Sequence, residues 1–222
     1  SPMQWRLLMR RCPMKSFTVV GDIAQASSAS AASSWSQALE PFVGERFTLE
    51  ELTINYRTPA QIADAAVAVA REAGYEVSAP RAVREGQWAP FIHQVPQEHV
   101  VAETVQRVSD EVALGDGALI GVVCSPAQYT QVARAVMETH ADRTGTAEDA
   151  VENQVLVLTP WEAKGLEFDV VIIVEPQQLL DDAQGAVGDL YVSMTRPTQR
   201  LHLVGTSMPA GLGAEAAGSA QS

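Results

Sequence analysis

Positive charge, cysteine and long apolar runs are all scarce in this sequence. Lysine occurs twice in 222 residues, at Lys15 and Lys164, and fifteen basic residues face twenty-seven acidic ones, a net charge of -12. A surface that grips nucleic acid without regard to sequence carries excess Lys and Arg, because neutralising phosphates supplies most of that affinity. The acidic balance excludes such a surface as the main grip and leaves room only for a local groove. Two cysteines, Cys12 and Cys124, make neither a disulfide framework nor a metal site. Cys124 sits in an apolar run and reads as core. No apolar run approaches the ~20 residues a membrane span needs. The opening SPMQWRLLMRRCP lacks the apolar stretch of a secretory signal. The chain reads as cytoplasmic, with no membrane partner.

What is present is the material of a packed core. Hydrophobic residues make up 46% and charged residues 19%, which argues for a globular α/β domain and against disorder over most of the length. The length suits one domain, or one domain plus a fragment of another. Apolar runs rich in β-branched residues alternate with amphipathic stretches, the pattern of a parallel sheet with crossover helices. The predicted strands are 17–20, 52–54, 91–95, 119–124, 154–158, 170–174 and 200–204.

Three helices are announced by Pro59, Pro96 and Pro126, each expected at the first helical position, where the missing N–H costs nothing. Behind Pro59, Ile62, Ala65, Ala66, Val69, Ala70 and Ala73 recur at helical spacing; behind Pro126, Tyr129, Val132, Ala133, Val136 and Met137 do the same. Val101, Val105, Val108 and Val112 mark the middle helix, which Gly115 ends. The Ser/Ala-rich stretch 26–37 reads as a link, 141–153 as a short polar connection, and the segment from Ser207 onward as a mobile tail.

Four stretches carry residues suited to chemistry: VVGDIAQ (19–25), NYRTP (55–59), TPWEAKGLEFD (159–169) and LYVSMTRP (190–197). Each is expected at the carboxyl end of a strand, where open α/β sheets bind ligands. Singly they are bland: a Gly-Asp turn, a salt-bridging arginine, a Lys-Gly turn. Together they hold two guanidinium forks suited to bidentate phosphate binding, a flat aromatic, an amide and a glycine that lets backbone come close. Composition alone carries this to an anionic ligand at the edge of the sheet.

The wording and order of GDIAQ, NYRTPAQI, LTPWEAKGLEFDVVIIV and LYVSMTRPTQRLHLV resemble the third to sixth motifs of superfamily 1 helicases of the UvrD/Rep type. The resemblance spans about residues 1–205. Within that family, GDIAQASS, EAKGLEFDVVIIVEP and the short 141–153 connection are most similar to the HelD-like ATPases that act on bacterial RNA polymerase.

The resemblance implies a RecA-like α/β fold of the P-loop NTPase type, a mostly parallel sheet with helices on both faces, and ATP with Mg2+ between two such domains. It implies that Gln25 senses the terminal phosphate, Tyr56 stacks on adenine and Arg57 contacts the γ-phosphate. Glu167 would hold the ribose beside Gly165, and Arg196 would be the arginine finger. Thr159, Trp161 and Lys164 lie where nucleotide contacts join the nucleic-acid path.

Three departures bear on mechanism. Trp161 stands where unwinding relatives carry a histidine, and ASSASAASSW replaces their base-stacking aromatic loop, with Trp35 as the one substitute. Pro197 follows the finger candidate and biases Arg196 away from helical geometry.

No G-x-x-x-x-G-K-[ST] loop and no magnesium-holding Asp-Glu pair occurs before Gly21, so the chain by itself is expected to hydrolyse almost no ATP. The expected organisation is a remnant of a first RecA-like domain at 1–35, a second RecA-like domain at 36–206 and a flexible tail at 207–222. The expected partners are that first domain, which would hold most of the metal, and either RNA polymerase or DNA. Two alternatives stand beside this reading: the C-terminal domain of a DNA-unwinding UvrD-type repair helicase, and a degenerate nucleotide fold that serves as an interaction module.

Overall fold

The structure, a computed structural model, describes residues 2–12, 14, 16–21, 32, 34–50, 54–75, 77, 81–146, 153–181 and 186–212. Its centre is a six-stranded, wholly parallel sheet. In chain order the strands are β3 (Phe91–Gln94), β4 (Ile120–Val123), β5 (Thr144–Gly145), β6 (Val155–Leu158), β7 (Phe168–Val174) and β8 (Pro197–Gly205), arranged in space as β3-β8-β7-β4-β6-β5. A separate parallel pair, β1 (Ile54–Asn55) and β2 (Arg81–Ala82), lies outside it. β4 and β6 are buried along their whole length and β7 nearly so, as near-continuous apolar strands must be when both faces are covered.

Helices cover the two faces. On one side α3 (Ala60–Glu72), α6 (Pro176–Asp181) and α7 (Ala186–Met194) enclose a core that includes Ile62, Val69, Leu158, Phe168, Leu190 and Met194. On the other, α4 (Val100–Ala113) and α5 (Pro126–Thr139) close over Val108, Ile120, Val132, Val157 and Ile172. Gly121 is needed for space: a Cβ there would stand 2.9 Å from Cγ of Phe168, whose ring crosses β4 at that point. Cys124 is fully buried, and burial pushes its thiol up to about 12.

The α4 face also carries a buried polar chain. Glu111 of α4 accepts from Arg200 Nε at 2.9 Å and stands 2.8 Å from His202 Nε2, while His202 Nδ1 lies 3.1 Å from His93 Nε2. Arg200 reaches on to Asp116 at 3.0 Å. The Asp116 carboxyl is held below its usual range by the Ala118 N–H and then by Arg200.

Several expectations are corrected. Residues 17–20 are not a strand: they pair with nothing in the sheet, and Val20 is 88% exposed, because an apolar run becomes a strand only beside another. The stretch read as a Ser/Ala link ends in a helix. Ser34 caps α2 (Trp35–Val43) by accepting from the Gln37 N–H at 3.1 Å. A further helix, α1 (Pro2–Arg11), buries none of its residues. Of the three prolines only Pro126 sits in the first turn; Pro59 caps α3 from outside, and Pro96 precedes a 3-10 turn at Gln97–His99. Part of the polar connection is the edge strand β5. At the other end Met208 and Leu212 pack on the first core and Pro209 is buried; residues 213–222 lie outside the described residues.

Candidate functional site

LYVSMTRP is not the end of a strand. Most of it is the last part of α7, whose chain then turns through Thr195 and Arg196 into Pro197, the first residue of β8. Proline is tolerated there because the first residue of a strand need not donate to the ladder. Arg196 thus sits at the amino end of β8.

Glu167 likewise sits immediately before β7. The segment 159–167 leaves the carboxyl end of β6, crosses one face of the sheet and delivers Gly165, Leu166 and Glu167 to its amino edge. The carboxyl-end rule therefore holds for Thr159 and fails for Glu167 and Arg196. The rule describes βα turns that follow a strand, and these two residues precede theirs.

Three contacts tie the separate stretches together on this edge. Arg57 pairs with Glu167, Nη2 to Oε1 at 2.5 Å, with side chains 44% and 51% exposed. Thr58 Oγ1 donates to the Thr195 carbonyl at 3.1 Å. The Phe168 N–H donates to the Arg196 carbonyl at 3.3 Å. NYRTP, the end of TPWEAKGLEFD and the end of LYVSMTRP thus close into one ring.

Local chemistry sets each residue. The Asn55 side chain accepts from the N–H of Arg57 at 3.0 Å and of Thr58 at 3.3 Å, a turn that lifts Arg57 to the surface. Tyr56 beside it is 73% exposed. Thr159 and Glu162 form a reciprocal cap: Glu162 Oε2 accepts from Thr159 N and Oγ1, both at 2.8 Å, and the Glu162 N–H donates back to Oγ1 at 3.4 Å. Gly165 has φ +84 with open space where a Cβ would stand, so backbone conformation, not crowding, requires glycine.

Lys164 points at α7, its Nζ 3.3 Å from Asp189 Oδ1 and 5.1 Å from the centre of the Trp161 ring, which is otherwise exposed. Arg196 is 6% exposed, with Nε donating to the Val192 carbonyl at 3.1 Å.

The edge therefore brings together Arg57, Glu167 and the Arg196 backbone, with Tyr56 next to Arg57. It does not bring Thr159 and Trp161 there, since they lie toward the opposite end of the crossing segment. Gln25 lies outside the described residues; the Trp35 ring packs 3.4 Å from where a Cβ of Gly21 would be. Among the described residues no cluster of His, Cys, Asp and Glu is placed to hold a metal ion, and no helix is long and apolar enough to cross a membrane. The sequence reading missed Asn55 and Thr58, although an Asn two and three residues before turn positions is a legible Asx signal.

No protein-family model matches the sequence, and no curated protein matches it. Among solved structures the chain is similar to the C-terminal domain of a possible DNA helicase from Lactobacillus plantarum WCFS1, with a TM-score of 0.52 at 21% identity over 74% of this chain and 96% of that one. Looser likenesses are the Hef helicase domain of Pyrococcus furiosus, with a TM-score of 0.37 at 14% identity over 48% of this chain and 25% of that one, and the SWI2/SNF2 ATPase core of Sulfolobus solfataricus, with a TM-score of 0.41 at 15% identity over 73% and 35%. At these identities the likeness speaks to architecture, and the parallel six-stranded sheet between two helical layers is a RecA-like α/β fold of the kind found in helicase domains.

Proposed function

We propose that the chain is the C-terminal motor domain of a superfamily 1 helicase-like ATPase of UvrD/Rep type, closest to the HelD-like proteins. It supplies one wall of an ATP site, and a preceding RecA-like domain supplies the phosphate-cradling loop and the magnesium ligands. The observation that carries this reading is the gathering of Arg57, Glu167 and the Arg196 backbone on one edge of the sheet. ATP with magnesium would bring the transferable phosphoryl group and its charge.

The residues of this chain would do the following. Arg57 and Glu167 neutralise each other on an exposed edge, where such a pair contributes about 0–1 kcal/mol. An arriving triphosphate would exchange that carboxylate for phosphate oxygens at the Arg57 fork at little cost. Glu167 would then be free to accept from ribose hydroxyls, while Tyr56 offers an exposed ring to the base and Gln25 senses the terminal phosphate. Arg196 would act as the arginine finger after its side chain leaves the Val192 carbonyl. In the whole protein, turnover would drive remodelling of RNA polymerase–nucleic acid complexes. A second reading is direct tracking on DNA as in unwinding relatives, against which stands Trp161 in place of their histidine.

Phosphate release, measured with magnesium and ATP, tests the first reading. The chain alone should show none, and the two-domain protein should lose at least tenfold in turnover with Arg57→Ala or Glu167→Ala. Turnover by the chain alone in the ~1–100 per second range of phosphoryl-transfer enzymes such as kinases overturns it. Sub-micromolar binding of a labelled single strand at about physiological ionic strength favours the second reading.

A further inference from the structure

We infer that Asn55 and Thr58 are positioning residues that set Arg57 and Arg196 as one unit. Thr58 is 2% exposed, yet its hydroxyl reaches a carbonyl 137 positions along the chain, that of Thr195, immediately before Arg196. Two residues earlier in the chain than Arg57, the Asn55 carboxamide holds the N–H groups of both Arg57 and Thr58. One five-residue turn therefore fixes the exposed guanidinium through its backbone and the covered one through the peptide in front of it.

The physical need is clear from the surroundings. Arg196 lies between the end of α7 and the start of β8, where Pro197 removes a donor and the backbone must change direction. The Arg196 N–H donates to Ser193 at 3.3 Å, and its carbonyl accepts from Phe168 at 3.3 Å; both contacts are long. The Thr58 hydroxyl adds a third tether, from a different element, to the adjoining peptide. A buried hydroxyl with one good acceptor is favoured in place, because losing the partner leaves a polar group unpaired. The two arginines would thus move together when the edge closes on a ligand.

The inference rests on the reading that Arg57 and Arg196 meet a nucleotide, and its tests separate the two. Thr58→Val keeps shape and removes the hydroxyl, Thr58→Ser keeps it, Asn55→Asp keeps the acceptor and Asn55→Ala removes it. In this chain alone, without ligand, Thr58→Val should speed amide hydrogen exchange at Phe168 at least tenfold and leave Ile172 in the middle of β7 unchanged; Thr58→Ser should restore Phe168. In the two-domain ATPase, Thr58→Val and Asn55→Ala should lower kcat at least fivefold, with their Ser and Asp counterparts within about twofold. Thr58→Val should add nothing to the loss caused by Arg196→Ala, since residues acting through one another are non-additive. Unchanged exchange at Phe168, or a Thr58→Val loss that multiplies fully with that of Arg196→Ala, overturns the inference. If Arg57→Ala and Arg196→Ala themselves leave turnover intact, the nucleotide reading fails instead, while the exchange result still decides whether Thr58 tethers the peptide. If Thr58→Val does not fold, the pair Asn55→Ala and Asn55→Asp, at a partly buried position, decides by the same measurements.

Discussion

Lys164 and Asp189 hold the crossing segment to α7: Nζ stands 3.3 Å from Oδ1, with both side chains largely covered. This gives one of the chain's two lysines a structural partner and a second neighbour, the Trp161 ring. Lys164→Met keeps most of the stem but leaves a largely covered carboxylate without its cation, at a cost of about 1–3 kcal/mol. The melting temperature should fall by several degrees and the exposed Trp161 emission should change, whereas Lys164→Arg should recover most of both. A variant that melts with the unmutated chain and emits identically shows that the pair is idle.

Arg57 and Arg196 should separate in a stability measurement. Arg57 is half exposed and pairs across a wet edge, so Arg57→Ala should move the unfolding free energy by no more than about 1 kcal/mol. Arg196 is covered and holds a helix-end carbonyl, so Arg196→Ala should cost about 1–3 kcal/mol. Urea midpoints of the two variants check this. Equal midpoints would mean that the Arg196 side chain is as loosely held as that of Arg57.

The pH dependence of stability should carry a signature of His93. Burial lowers it from 6.5 to about 4, helped by His202 and Arg107 and opposed by Asp110. Its other charged neighbour is Glu103, 3.4 Å from Nδ1. The folded state resists a proton that the unfolded chain accepts, so the full contribution is present above pH 6.5. It is lost as pH falls from there toward 4, and falls no further below that. The shift corresponds to at most about 3 kcal/mol, and partial exposure reduces it to roughly 1–2 kcal/mol. Comparing urea midpoints of the unmutated chain and His93→Gln between pH 7.5 and 5, above most carboxylate titration, should show a steeper decline in the former. Parallel curves would remove His93 from the account.

Thiol chemistry should divide the two cysteines. With its thiol pushed up to about 12 and no exposure, Cys124 holds essentially no thiolate at pH 8. Cys12 is partly exposed. A thiol reagent should label one site in the native chain and two in denaturant. Rapid native labelling at Cys124 would mean that the end of β4 opens readily.

Strands were legible where apolar residues ran unbroken, since Val155–Leu158 and the centre of β7 offer no competing period. The run at 17–20 is as β-branched and, broken only by Thr18, nearly as apolar, yet forms no strand, because pairing is not written in the run itself. α7 was hidden because Leu190, Tyr191 and Val192 run unbroken and Ser193 is buried with Leu190, Val192 and Met194, so its apolar residues outline no single face. At the site, residue identities were legible from wording and order. Which edge of the sheet they occupy was not, because that depends on whether a residue ends one strand or begins the next. Thr58 was invisible for a related reason: nothing in a sequence says that position 58 touches position 195.

The crossing segment has a mechanical consequence. Leu158 lies level with Val123, and Val123 with Ile173, so the chain must descend five strand positions to reach Phe168, about 16 Å. It makes that descent braced at the top by the Thr159–Glu162 cap and part-way down by Lys164 on α7. A braced piece of that length behaves as a strut. Those two contacts leave it less room to bend than an untethered loop of the same length.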